Sequence, residues 1–337
     1  MDAWAGAAGA RLPRGATWYA IRVKSYVLVV VLAACSKKHD APVASAPAPT
    51  TLPILTPTAA DAGALFDEIP LRPELAPGMS DLSLDDRGHI WALPERDHVV
   101  VELELSGSPI QIKDVEHPLD GVPDGVDTEA IAWLGNNHFA IGTEGQDVAT
   151  ASVMFGELRA DGHIALTQTL PLTDADVGLE LVRNHGVEGI CGNGEDVIAG
   201  IESSGTLADG TRYAPLVHIH GQKITGVTKL HLTSTKGKIS ALFCTFAPDG
   251  TAQVTAIERH YGVSRILSFE LPPTAAEVTP TIAMDLWPLV RDRYRQKLNL
   301  EGIVRTADGR WILINDNQGK DVEGATRLFV FHPRLFR

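Results

Sequence analysis

The chain has 337 residues, 44% of them hydrophobic and 21% charged, which is enough for one large or two ordinary domains. Its formal charge is −13; four of the 29 basic residues and one of the 42 acidic ones fall within residues 1–34, so the remainder carries 25 bases against 41 acids. Such an acidic surface repels nucleic acid, whose phosphates need cations, and no nucleic-acid partner is expected.

The chain opens with a basic lead, Arg11, Arg14, Arg22 and Lys24, followed by the apolar run Tyr26-Val-Leu-Val-Val-Val-Leu32. That run is too short to cross a bilayer, which takes roughly 20 apolar residues, and it ends in small residues as a secretory signal does. The sequence Leu32-Ala-Ala-Cys35-Ser36 resembles the lipobox of bacterial lipoproteins, in which the Cys is acylated and becomes the first residue. We therefore expect a signal peptide over 1–34 and lipidation at Cys35. Ser36 behind the Cys implies, by that resemblance, the outer membrane, facing the periplasm or the cell surface. Residues 35–62 are rich in Ala, Pro and Thr, cannot build a core, and read as a tether holding a domain just off the membrane.

From residue 63 onward one unit recurs, starting at 81, 129, 188, 240 and 301. Each copy opens on a short apolar segment led by a polar residue: Asp81-Leu-Ser-Leu, Glu129-Ala-Ile-Ala, Glu188-Gly-Ile-Cys, Ser240-Ala-Leu-Phe, Glu301-Gly-Ile-Val. A turn follows, such as Asp86-Arg87-Gly88 or Gly192-Asn193-Gly194, built from residues that accept positive φ. A second strand then ends in an acid, at Glu95, Glu144, Glu202, Glu258 and Asp316. A third strand alternates and a fourth is weaker. Four antiparallel strands repeated at a period near fifty mark an all-β chain of the β-propeller class. We count five blades in 63–337, or six if one has diverged beyond recognition. The last copy lacks its fourth strand, and Leu65-Phe-Asp-Glu-Ile-Pro-Leu can supply it, closing the ring with both chain ends. An insert over residues 288–298 reads as a helix with Leu289, Tyr294 and Leu298 on one face. Its Arg291, Arg293, Arg295 and Lys297 form a basic cluster, read as a solvated face. Cys191 and Cys244 fall at similar positions of neighbouring repeats; a disulfide is permitted in an exported domain, but we favour two buried free thiols.

A hairpin sets the start of its first strand beside the end of its second. Asp81 and Glu95 are 14 residues apart, Glu129 and Glu144 15, Glu188 and Glu202 14, Glu301 and Asp316 15. Each pair therefore meets at one open end, and the inner strands of a propeller carry all the pairs to one axis. Facing carboxylates persist only if solvated, protonated or neutralised by a cation. Oxygen ligands from several strands suit Ca²⁺, which takes about 6–8 oxygens. The expected metal ligands are Glu129, Glu188, Glu301, Asn317, Glu144, Glu202 and Glu258. Some of the acids ending second strands are instead expected to bond backbone amides of neighbouring blades. His185, Glu188 and Asp316 are the candidate catalytic residues, and His260 is a further candidate at the mouth. His218 and His220 read as outward-facing. No Gly-x-Ser-x-Gly elbow and no zinc-spaced Cys or His cluster occurs.

The segments Asn184-His-Gly-Val-Glu188-Gly-Ile, Ile198-Ala-Gly-Ile-Glu202, Asn299-Leu-Glu301-Gly-Ile and Ile312-Leu-Ile-Asn-Asp316-Asn317 resemble the phytase-like family, named for the esterase-like activity of phytase. Glu258-Arg259 followed by Ser264-Arg265-Ile266 also matches it, and Asn315 stands where that family has Ser. The resemblance spans roughly 80–332. It implies a propeller and, together with the related paraoxonase-type propellers, a Ca²⁺-assisted hydrolase of esters or phosphoesters with small-molecule substrates. The alternatives from the residues themselves are a non-catalytic envelope propeller that binds a ligand, glycan or protein partner, and a glycan-cleaving propeller with paired carboxylates.

Overall fold

Every predicted hairpin turn holds a residue in the left-handed region, among them Gly88 at φ 86° and the pair Asn136 and Asn137 at 51° and 64°. Those residue types accept that conformation at low cost, so each first hairpin reverses where the sequence places it. In this computed structural model, residues 54–72, 74–75, 78–317 and 326–333 are described. The expected signal, Cys35 and the tether up to residue 53 lie outside them.

The hairpins extend into five antiparallel blades. Blade one is Met79–Leu84, Ile90–Pro94, Val99–Ser106 and Gln111–Asp120. Blade two is Val126–Gly135, His138–Gly145, Ala151–Leu158 and Ile164–Leu172. Blade three is Val187–Asn193, Asp196–Ile201, Arg212–His220 and Lys223–His231. Blade four is Lys238–Phe246, Ala252–His260, Val263–Leu271 and Thr281–Asp285. Blade five takes Asn299–Arg305, Trp311–Asp316 and Arg327–Phe331, and its outer strand is Phe66–Pro70 from the other end of the chain. The predicted closure thus holds, with Phe66 opposite Phe331 and Pro70 opposite Arg327. Successive inner strands touch, and the inner strand of blade five touches that of blade one, so the ring is complete with five blades. At the periphery the outer strands of blades one and two pair in parallel at Leu119–Ile164.

Between blades the core is apolar, as in the set Trp91, Leu93, Ile131, Phe139 and Ile141. Two expectations need correction. Cys191 and Cys244 form a disulfide across the inner strands of blades three and four, with Cα atoms 5.7 Å apart. Equivalent positions on adjacent inner strands bring them into range, a proximity that counting from the repeat start already implied. The helix spans only Trp287–Arg293. It stops because Arg295 and Gln296 adopt φ of 52° and 66°, and because Tyr294 turns its hydroxyl onto Glu68 at 2.8 Å. Leu289, Tyr294 and Leu298 do pack together beneath it. Residues just before the first blade strand lie on blade four: Leu55 bridges Met284, and the Asp285 N–H donates to the Leu55 carbonyl at 2.9 Å.

Candidate active site at the charged mouth of the axis

Each inner strand carries a β-bulge at the same place. The pairing register skips Ser80, Glu129, Glu188, Ser240 and Glu301 in blades one to five. A bulge re-aims the extra residue, and here it delivers one side chain per blade to a common level. Two residues earlier stand Gly78, Asp127, Gly186, Lys238 and Asn299. Opposite these, at the ends of the second strands, stand Glu95, Glu144, Glu202, Arg259 and Asp316. Of these fifteen equivalent positions, eight are carboxylates and two are bases, and both bases come from blade four.

The register explains two departures from expectation. The counterpart of the ring glutamates in blade one is Ser80, so Asp81 faces the next blade. It is fully buried and accepts the N–H groups of Leu82 at 2.8 Å and of Ile131 at 2.9 Å, tying blade one to blade two. In blade four the ring position belongs to Arg259, so Glu258 points the other way. Its carboxylate accepts the Thr233 N–H at 3.1 Å, the Ser234 hydroxyl at 2.7 Å and the Thr233 hydroxyl, which occupies it fully and takes it out of the expected ligand set. The Gly of the Glu-Gly-Ile segments has a matching cause. A Cβ at Gly302 would meet the Leu82 backbone nitrogen at 2.6 Å, and one at Gly189 would meet the Ala241 carbonyl carbon at 2.8 Å.

The mouth has two halves. On blades one and two, Glu95, Asp127 and Glu129 are all buried, and each offers an oxygen within 4.8 Å of the others. Gln146 donates to Asp127 at 2.5 Å, while Arg96 reaches Glu95 at 2.6 Å and Asp127 at 3.6 Å from a largely exposed position. Burial, then the charges of Glu188 and Glu144, lift Glu129 well above the usual carboxylate range. Burial and Glu188 push Glu144 up to about 7, against the N–H of Gly186, which donates to it at 3.2 Å.

On blades three to five the acids are paired. Arg259 holds Glu301 through two bonds, Nε to Oε2 at 3.0 Å and Nη2 to Oε1, and lies 4.0 Å from Glu188. Asn299 donates to Glu301 at 2.6 Å and to Asp316 at 3.2 Å. Burial pushes Glu301 up to about 8 while Arg259 opposes it. Lys238 pairs with Glu202 Oε1, and His185 Nδ1 lies 3.1 Å from Glu202 Oε2. Burial and the nearby Lys238 lower His185 below its ordinary value.

Glu129, Glu188 and Glu301 thus converge, with Glu144, Glu202 and Asp316 around them. Asn317 is buried directly behind Asp316. His260 is exposed at the lip, where burial and the charge of Lys238 lower it. His220 faces outward as expected, against Asp196 at 2.8 Å. His218 is instead half-buried and bonded to Thr228 at 2.8 Å, because the outer strand of blade three covers it. Sequence reasoning missed Asp127, Lys238 and the ring position of Arg259. The one signal for Asp127 was its place two residues before Glu129 in the same hairpin.

A cavity of about 540 Å³ opens beside the paired half, between blade four, the short helix and blade five, and Lys238, Arg259, Asn299 and Asp316 reach it. A second group of ligand-type side chains, Asp85, His89 and Glu102, lies at the turn end of blade one. Arg87 already supplies its cation, bonding Asp85 at 2.7 Å and Glu102 at 2.9 Å.

The architecture and the gathered charges define the class: a five-bladed propeller with eight carboxylates and two bases gathered at one mouth of the axis. The sequence profile of the phytase-like family, described as esterase-like activity of phytase, matches residues 75–319, and the chain belongs to that family. No curated protein matches it. Among solved structures it is similar to the major Malassezia sympodialis allergen Mala s 1, at 8% identity over 80% of this chain and 96% of that one, with a TM-score of 0.47. It is also similar to the PQQ-bound aldose sugar dehydrogenase of Streptomyces coelicolor, at 11% identity over 79% and 98%, with a TM-score of 0.45.

Proposed function

We propose that the chain is a lipid-anchored protein of the bacterial envelope whose propeller hydrolyses ester or phosphoester bonds with the help of a bound Ca²⁺. The observation that carries this reading is the meeting of three buried carboxylates, Glu95, Asp127 and Glu129, at the mouth that also holds His185 and the partly buried cations Lys238 and Arg259. That donor set is made of hard oxygens from two blades and fits a divalent cation of the calcium type. Glu95, Asp127 and Glu129 would hold the ion, with Glu144 next to them. Bound there, it would polarise the ester oxygen and offset the charge of an anionic substrate. The segment 32–36 and the Ala/Pro/Thr-rich stretch after it support the anchoring, and Ser36 supports the outer membrane.

The chain's own groups supply the remaining chemistry. His185 takes a proton from water at Nε2, its Nδ1 being turned toward Glu202, and Lys238 holds Glu202 in place. Arg259 faces the developing negative charge with its guanidinium fixed by Glu301. Glu188 stands between the two halves, and Asp316 lines the cavity beside them.

The reading is tested with p-nitrophenyl acetate and p-nitrophenyl phosphate, with Ca²⁺ and with chelator. Turnover should need Ca²⁺, and His185→Asn should lower kcat by about 10²-fold or more with little change in KM, as removal of a general base does. Absence of turnover on both substrates, with a retained glycan or protein in pull-downs, would favour a binding propeller instead.

A further inference from the structure

The charge inversion in blade four separates the mouth into an acidic side and a basic side, and the cavity lies on the basic side. Its floor is formed by Lys238 and Arg259, both already committed to carboxylates. Its rim carries Arg295 and Lys297, which are exposed and make no ion pair among the described residues. The loop that presents them is held in an unfavourable backbone conformation, with the non-glycine residues Arg295 and Gln296 both left-handed. Strain of this kind persists where the surroundings enforce it, and it concentrates at ligand sites. Part of the lining is apolar: Val263, Trp287, Val290 and Leu298 face the space. Tyr261 stands at the lip, 76% exposed, edge-on to His260 at 5.5 Å.

We propose that this cavity receives an organic oxyanion, phosphate or carboxylate, carried on a flat aromatic body, with the anionic group against Arg295 and Lys297 and the ring against Trp287. This rests on the hydrolase reading in so far as the ligand is the substrate, its ester being a group separate from the oxyanion held at the rim. A wholly hydrophilic polyol phosphate would leave the Trp287 wall without a partner, whereas an aromatic body removes it from water. The carboxylate of Asp316, at the inner end, disfavours an anion there and leaves the basic rim as the place for it.

The test is calorimetric titration of the full chain, in chelator, with 1-naphthylmethylphosphonate, 1-naphthylacetate and methylphosphonate, none of which carries an ester. At least one naphthyl probe should bind about tenfold or more tightly than methylphosphonate, from the buried ring area. The stronger of the two naphthyl probes tells a phosphate-type from a carboxylate-type ligand. Reversing the rim charges with Arg295→Glu and Lys297→Glu together should weaken naphthyl binding about tenfold or more. Both positions are exposed, so that variant folds; Trp287→Ala should bring naphthyl and methyl affinities together. Failure of both naphthyl probes to bind, equal affinity for naphthyl and methyl probes, or binding unaffected by charge reversal overturns the proposal. Those results with ester hydrolysis intact remove this inference alone, and the expected binding without any hydrolysis removes the hydrolase reading alone.

Discussion

At the scale of single residues, one position decides everything about a carboxylate here. Asp81 and Glu258 each lie one residue from a ring position, and both end as buried hydrogen-bond acceptors rather than channel groups. Among the groups that do reach the mouth, Glu144 has a consequence measurable in solution. Its carboxyl is raised from an ordinary 4.5 to about 7 by burial and by Glu188. The folded protein therefore holds a proton that the unfolded chain has already released across that window. A raised acid of this kind costs stability as pH climbs from about 4.5 to about 7, and the full cost remains above it. In chelator, Glu144→Gln should match the wild type near pH 4.5 and melt at a higher temperature above pH 7. Parallel Tm curves for the two proteins across this range, followed by circular dichroism, would contradict the account.

At the scale of elements, the Glu-Gly-Ile segment has a division of labour. The bulged Glu turns to the axis, the Gly lets the neighbouring inner strand approach, and the Ile enters the core between blades. Gly302→Ala should cost about 1–3 kcal/mol in chemical denaturation, because its Cβ meets backbone that cannot retreat. Gly226→Ala, where open space surrounds the new methyl, is the control and should change stability little. An equal effect at both positions would mean that close approach is not what the Gly provides. The hairpins, their turns and the borrowed outer strand of blade five were all legible, since alternation and turn chemistry are local. The bulges were not. A bulge shifts register by one residue, which is why Asp81 was aligned with Glu129 in place of Ser80, and Glu258 with Glu144 in place of Arg259. Lys238 stayed hidden for the same reason, standing two residues before a Ser where other blades carry Gly, Asp or Asn.

At the scale of the whole molecule, the ring of blades gathers eight carboxylates and answers them unevenly. Blade four supplies Lys238 and Arg259 to Glu202, Glu188 and Glu301, while the largely exposed Arg96 reaches Glu95 and Asp127 and the neutral Gln146 donates to Asp127. Buried carboxylates gathered as closely as Glu95, Asp127 and Glu129 favour a cation or a proton among them, and a cation that binds only the folded ring stabilises it by mass action. The most direct test is a Ca²⁺ titration of chelator-treated protein at pH 7.5, read by calorimetry and by thermal unfolding. The account predicts saturable uptake at about one ion per chain with a rise in Tm, both lost in the Asp127→Asn, Glu129→Gln double variant. A Tm and a heat signal indifferent to Ca²⁺, or unchanged binding by the double variant, would contradict it.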